Sequence, residues 1–223
     1  MPPVPIVRES RRMSLQAYQL TCIRGDLQLF DDVSFELQPG DTMRVAGTNG
    51  SGKTSLLRML AGLSAPAHGE VRWNGRDICK LREEFCSNLI YLGHANGVKD
   101  DLLAWENLVI ASALSGKALQ RDDALDALEQ LGLGRAAELP TRALSQGQRK
   151  RVALARLSFG NAMPLWILDE PFTALDVSAM EALRGTLNAH LEGGGMVIYT
   201  THQEIALSAR RTLTLDMNQG GAC

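Results

Sequence analysis

Apolar and polar positions alternate through residues 14–46. The segments SLQAYQL (14–20), LQLF (27–30), DVSFEL (32–37) and TMRVA (42–46) carry the two-residue period of half-buried strands, and Gln38-Pro39-Gly40-Asp41 reads as a turn. Beyond Gly52 the period lengthens: Leu56, Leu57 and Leu60 share one helical face, and Gly62 stops that helix. Short strands are predicted again at 71–73 and 89–92. From residue 98 to 159 the texture is helical. There Leu125, Leu128 and Leu131 recur every three residues while Asp122, Asp123, Asp126 and Glu129 take the other faces, the pattern of an amphipathic helix. Strand character returns at Leu165–Leu168 and Met196–Tyr199. A helix beginning near Val177 and ended by Gly193-Gly194-Gly195 lies between them. The pattern is an α/β core holding a helical insert, one module spanning 13–223. Residues 1–12, with Pro2, Pro3 and Pro5 and no periodicity, read as a disordered extension.

Composition narrows the class. The chain has 223 residues, 45% hydrophobic and 22% charged, with a net charge of -2. That balance excludes a nucleic-acid binder driven by bulk charge and an acidic disordered tail, and it leaves a soluble enzyme or binding module. The run Arg149-Lys150-Arg151 is accordingly expected to be a solvated helix face. Cys22, Cys79, Cys86 and Cys223 show no CxxC spacing and predict reduced thiols, with Cys22 or Cys86 partly buried. Arg11-Arg12 has the outline of a twin-arginine export signal. Gln16, Tyr18, Gln19, Thr21, Arg24 and Asp26 break up the apolar stretch such a signal needs, so export is not expected. No segment has the apolar length of a membrane span.

The strongest local chemistry is Gly47-Thr48-Asn49-Gly50-Ser51-Gly52-Lys53-Thr54, a GxxxxGK-Thr/Ser phosphate loop after a predicted strand and before a predicted helix. The glycines let backbone N–H groups turn inward around a polyphosphate, and the helix adds free N–H groups and the positive end of its dipole. Lys53 reaches the β and γ phosphates, and the Thr54 hydroxyl is a ligand for Mg²⁺. Leu165-Trp166-Ile167-Leu168-Asp169-Glu170 delivers two carboxylates at the C-terminal end of a buried strand, where α/β sheets bind ligands. Asp169 can hold Mg²⁺ through oxygen, directly or through a water. Glu170 faces the other way along the strand and is assigned as the base that polarises the attacking water.

These residues, with three further segments, resemble the ATP-binding cassette (ABC) ATPases. Leu144-Ser145-Gln146-Gly147-Gln148 resembles the LSGGQ signature, Ala174-Leu175-Asp176 the D-loop, and Thr200-Thr201-His202 the switch histidine after a strand. The resemblance implies an ABC-type P-loop NTPase with a RecA-like core, an N-terminal antiparallel β region and a helical insert carrying the signature. ATP and Mg²⁺ follow as cofactors. It also implies a head-to-tail homodimer in which Ser145, Gly147 and Gln148 contact ATP on the partner's loop. His202 would contact the γ phosphate, and Asp176 would couple the two sites.

Three positions depart from the general pattern. Gln146 replaces the first signature glycine. His94 stands where the family places a glutamine that reaches Mg²⁺, and an imidazole suits so hard a cation poorly, so His94 is expected to sense nucleotide through a bridging water. Arg24 occupies the aromatic platform for the base, which predicts guanidinium stacking or loose selectivity for ATP over GTP.

Gly93-His94-Ala95-Asn96-Gly97-Val98-Lys99, Glu106-Asn107-Leu108 and Trp166–Ala174 resemble the ATP-binding subunits of the haem exporter of cytochrome c maturation, although Ala95 and Asn96 replace the usual Gln and Pro. That subfamily implies a peripheral subunit on the cytoplasmic face of the bacterial inner membrane. A permease-like subunit and a haem-handling membrane subunit would be its partners, and a periplasmic haem chaperone would be acted on indirectly. A groove around 97–108 would receive a helix of the membrane partner. No haem site and no nucleic-acid role are expected, with His68 and His190 placed at the surface. A different ABC exporter, of lipid, drug or peptide, and a non-transport ABC ATPase stay open.

Overall fold

The computed structural model describes residues 13–160, 162–201 and 203–218. In chain order, β1 (Leu15–Arg24) and β2 (Leu27–Leu37) form a hairpin, followed by β3 (Asp41–Ala46) and α1 (Lys53–Leu60). Then come β4 (His68–Trp73), β5 (Arg76–Asp77), α2 (Ile78–Cys86), kinked at Arg82, and β6 (Leu89–Leu92). Helices α3 (Ala104–Leu114), α4 (Arg121–Gln130) and α5 (Gln146–Ala155) precede β7 (Leu165–Leu168). The order ends with α6 (Val177–Glu192), β8 (Met196–Thr200) and β9 (Arg211–Asp216).

Two sheets result. One is antiparallel in the order β2-β1-β4-β5; the other has the order β6-β7-β8-β3-β9 and is parallel at every pairing. The central strands of the parallel sheet are buried on both faces, so alternate residues serve two cores. Leu165, Ile167, Met196 and Ile198 pack with α1 and the antiparallel sheet. Trp166, Leu168, Val197 and Tyr199 pack with α3 to α6.

Several local expectations need correction. The segments 27–30 and 32–37 are one strand of 11 residues, because Asp32 turns through a positive φ of 52° without breaking the pairing to β1. In β1 a similar irregularity at Gln19 (φ 47°) lets the strand run to Arg24. The glycine opposite is required there, since a Cβ on Gly69 would lie 2.3 Å from the Gln19 carbonyl oxygen. The buried face of α4 is Ala124, Ala127 and Leu128 with Leu131 just beyond, and Leu125 is only half-buried. Cys22 is buried, whereas Cys79 and Cys86 are exposed.

Two errors concern charged or titratable groups. His190 is not a surface residue. It lies on the inner face of α6 and stacks on Trp166 with ring centroids 3.7 Å apart. Burial pushes its pKa down to about 4, against contacts with the backbone of Pro164 and Met196 that pull the other way. The Arg149–Arg151 run is not a solvated face either. Lys150 is buried, and Arg151 donates to the Leu131 carbonyl at 3.3 Å. A helix that crosses behind β7 has to bury one side, and Lys150 falls on it.

Candidate functional site

The phosphate loop joins the C-terminal end of β3 to α1, at the sheet edge where β7 and β8 also end. Gly47, Gly50 and Gly52 all have positive φ (146°, 86° and 97°). At Gly47 a Cβ would sit 2.6 Å from Ser51 Oγ and 3.1 Å from Met217 Cβ, and with its positive φ the position favours glycine. Helix α1 begins at Gly52 with no side-chain cap and no acidic residue in its first turn, which leaves its first N–H groups for an anion. Lys53 is buried and donates to the carbonyls of Gly47 (2.9 Å) and Thr48 (2.8 Å), spanning the loop from inside. From the far end of the chain, Asn218 Oδ1 accepts from both Thr48 N (3.0 Å) and Thr48 Oγ1 (2.9 Å).

The carboxylates arrive as the strand pattern requires. Asp169 is buried just past β7, and its two oxygens have different partners. Oδ2 accepts from Thr54 Oγ1 and Oδ1 from Thr200 Oγ1, each at 2.8 Å. The Thr54 hydroxyl and the Asp169 carboxylate therefore face each other as two oxygen donors, a set that fits a hard divalent cation such as Mg²⁺. Among the described residues there is no cluster of three or more His, Cys, Asp or Glu side chains able to hold a metal. This donor set suits a cation shared with a bound polyphosphate. Glu170 has a left-handed backbone (φ 49°), and its Oε2 accepts from Thr173 Oγ1 at 3.2 Å. Lys150 Nζ lies 3.3 Å from the Asp169 carbonyl oxygen. Burial pushes the pKa of Lys150 below its usual value, and the nearby Asp169 and Glu170 charges offset only part of that. Tyr91 on β6 is pushed up, by burial first and then by Asp169.

A cleft of about 540 Å³ is lined by Asn49, Gly50, Gly52, Lys53, Thr54, Ser55, Leu29, His94 and Glu170. It brings together the loop, the proposed base and the unusual histidine. Arg24 is not among the lining residues; it stands exposed at the end of β1, and Leu29 is the β-hairpin residue beside the loop. Ser145, Gly147, Gln148 and Asp176 do not line the cleft either. Ser145 caps α5: its Oγ accepts from Gln148 N (3.2 Å), and Ser145 N donates to Gln148 Oε1 (2.9 Å). Asp176 caps α6 by accepting from Ala179 N (2.8 Å), and it pairs with Arg151 at 3.5 Å. His202 lies outside the described residues.

Sequence reading missed Thr200, Lys150, Leu29 and Asn218. Thr200 had a signal, as the last residue of a buried strand beside the Thr201-His202 pair. Lys150 and Asn218 had none, because each acts through a partner distant in sequence.

Residues 30–173 match the ABC transporter family. The cytochrome c biogenesis ATP-binding export protein CcmA of Nitrosospira multiformis is 55% identical over 195 residues, covering 87% of this chain and 94% of that protein. The protein of the same name from Nitrosomonas europaea is 56% identical over 194 residues, covering 87% and 91%. Among solved structures, a putative ABC transporter ATP-binding protein from Pyrococcus furiosus matches with a TM-score of 0.79 at 23% identity, over 94% of this chain and all of that one. A dimeric ATP-binding cassette in a post-hydrolysis state, bound to ADP and Pi, matches with a TM-score of 0.72 at 25% identity, over 85% of this chain and 88% of that one. The α/β P-loop architecture expected from the motifs is the one these structures share. By the extent of the family match and the identity to these relatives, the chain belongs to the ABC transporter family, in the branch of the cytochrome c biogenesis ATP-binding export proteins.

Proposed function

We propose that the chain is the ATP-hydrolysing subunit of a bacterial inner-membrane ABC complex of cytochrome c maturation, whose turnover powers haem export or release of the haem-loaded periplasmic chaperone. One observation carries the ATPase part: Thr54 of the phosphate loop and Asp169 of the buried strand, 115 residues apart in sequence, meet at 2.8 Å beside a cleft that also holds Lys53 and Glu170. The identity to the two CcmA relatives supports the cytochrome part.

In this reading the loop amides and Lys53 bind the β and γ phosphates, and Thr54 and Asp169 hold Mg²⁺. Mg²⁺ neutralises phosphate charge when bound. Glu170 accepts a proton from the attacking water, with its carboxylate oriented by the Thr173 hydroxyl. His202 is assigned to the γ phosphate and His94 to sensing it through water. Ser145, Gly147 and Gln148 serve ATP on a second copy arranged head to tail, with Asp176 between the sites.

The membrane partner has a natural seat next to α3. That helix is apolar nearly all round and leaves Ile110 (42%) and Leu114 (85%) exposed. The segment before it is tied to the signature. Thr141 Oγ1 donates to the Lys99 carbonyl at 2.6 Å, Arg142 pairs with Asp101 at 2.8 Å, and Arg149 pairs with Asp100 at 3.2 Å. A displacement of residues 99–101 by the partner is thereby passed to Ser145. Among the described residues no helix is long and apolar enough to cross a membrane, in keeping with a peripheral subunit on the cytoplasmic face.

The test is haem staining of c-type cytochromes in cells whose only copy carries Glu170→Gln or Lys53→Ala. Loss of mature cytochromes at normal protein level and membrane recruitment is the expected result. Normal cytochromes together with abolished ATP hydrolysis would leave an ABC ATPase of another export substrate.

A further inference from the structure

The peptide unit between Asp169 and Glu170 is held at both of its polar atoms, from two different elements. Its carbonyl oxygen accepts from Lys150 Nζ on α5 at 3.3 Å. Its N–H donates to Thr200 Oγ1 at the end of β8 at 2.7 Å. The Thr200 hydroxyl hydrogen is in turn directed at Asp169 Oδ1, 2.8 Å away. This plane fixes one side of the φ dihedral of Glu170. That φ is 49°, a left-handed value that persists in a non-glycine residue only where its surroundings enforce it. With the plane released, the backbone at Glu170 is free to leave this conformation, and its side chain loses a fixed line beside the cleft.

Lys150 is buried (9% exposed), so its ammonium is placed at that carbonyl at the cost of losing water. An apolar residue would pack the same site without that cost, which makes its use there informative. The helix that carries it is the signature helix. At its first turn α5 lies against the D-loop, where a Cβ on Gly147 would come within 2.7 Å of the Ala174 carbonyl oxygen. One residue after Lys150, Arg151 pairs with Asp176 at 3.5 Å. Helix α5 thus grips residues 169–176 near both ends of that segment, and Lys150 is the grip nearest the reacting groups.

We propose that Lys150 is a positioning residue: by holding the Asp169–Glu170 peptide plane, it locks Glu170 in its working conformation and ties that setting to the signature helix. The inference rests on the ATPase reading above and on the role of Glu170 in it. Lys150 does not line the nucleotide cleft, so its removal is expected to act on turnover and spare nucleotide binding. A merely structural lysine would instead lower stability, binding and turnover together.

The experiment uses the purified full chain and measures ATP turnover, the Kd of a fluorescent ATP analogue and Tm, for the unsubstituted protein, Lys150→Met and Lys150→Arg. Lys150→Met is expected to lower kcat by about 10- to 100-fold, the scale of a small misplacement of a catalytic group, with Kd changed by less than about twofold. Lys150→Arg, which reaches the same carbonyl, is expected to recover most of kcat. Should Lys150→Met fail to fold, Lys150→Ala, which also has no side-chain donor, takes its place with the same three readouts. Turnover of the neutral variant within about twofold of the unsubstituted chain overturns the inference, as does a parallel loss of kcat, Kd and Tm in both variants. If the unsubstituted chain hydrolyses no ATP, the ATPase reading falls and this inference with it; hydrolysis with an unimpaired neutral variant removes this inference alone.

Discussion

Helices α1 and α5 both begin at a functional motif, and they begin in opposite ways. The first turn of α1 follows Gly52 in a left-handed conformation, with no side chain answering its N–H groups. The first turn of α5 follows Ser145, and a reciprocal pair of hydrogen bonds with Gln148 answers those groups from within. Free donors at one end make a site that a single chain offers ready for an anion. At the other, the N–H groups of Ser145 and Gln148 are already answered, which steadies the helix start without a ligand. In the head-to-tail arrangement proposed above the signature would meet a nucleotide presented by a second copy, whereas the loop offers its donors within one chain.

Substitutions can break that contrast. The largest effect is expected from Glu170→Gln, which removes the base and leaves the open helix start intact. Turnover should fall by about 10²- to 10⁴-fold while ATP binding persists, read by phosphate release against nucleotide retention. Next, Lys53→Ala removes the charge that spans the open loop. Affinity for ATP should drop by about 100-fold, measured by titration with a fluorescent analogue; unchanged affinity would mean the α1 amides suffice alone. Ser145→Ala opens the closed end, and loss of that cap should cost about 1 kcal/mol, seen as a thermal midpoint lower by about 2–4 °C.

The smallest effect lies away from both helices. His190 is held neutral by burial, with a pKa near 4 against its ordinary 6.5. Between those values the unfolded chain binds the proton that the folded chain refuses, so stability falls as pH drops from 6.5 toward 4. The slope approaches about 1.4 kcal/mol per pH unit at most. Thermal melts of His190→Phe and the unsubstituted chain, compared from pH 7.5 to 4.5, should show the unsubstituted chain losing more of its midpoint as pH falls.

The phosphate loop, the Asp169-Glu170 strand and the signature helix were legible because each is a short contiguous pattern whose chemistry depends on spacing. Strand β9 was not foreseen, although Leu213 and Leu215 alternate with threonines, because its six residues carry polar and charged side chains on the open edge of the sheet. The misplacement of His190 had an available remedy. It follows Ala179, Leu183 and Leu187 on the buried side of α6, a spacing that points inward whatever the residue type. Lys150 was read as part of a basic run, and no local pattern reveals that its partner is a backbone carbonyl nineteen residues on. Charge in sequence reports composition, and only packing decides which of three adjacent cations is withdrawn from water.

The Asn218 contact to Thr48 has a consequence for how the molecule comes into being. The loop is translated early, yet its strand β3 lies between β8 and β9, and Asn218 pins the loop from just past β9. Buried Asp41 at the start of β3 likewise has its charge answered by Arg210 at 3.3 Å and Arg211 at 2.7 Å. A nascent chain that has made the cradle therefore lacks the flank that supports it until residues 210–218 have left the ribosome. Nucleotide capture is thus expected to require residues 210–218, so that an interrupted chain ending before residue 210 should emerge without hold on ATP.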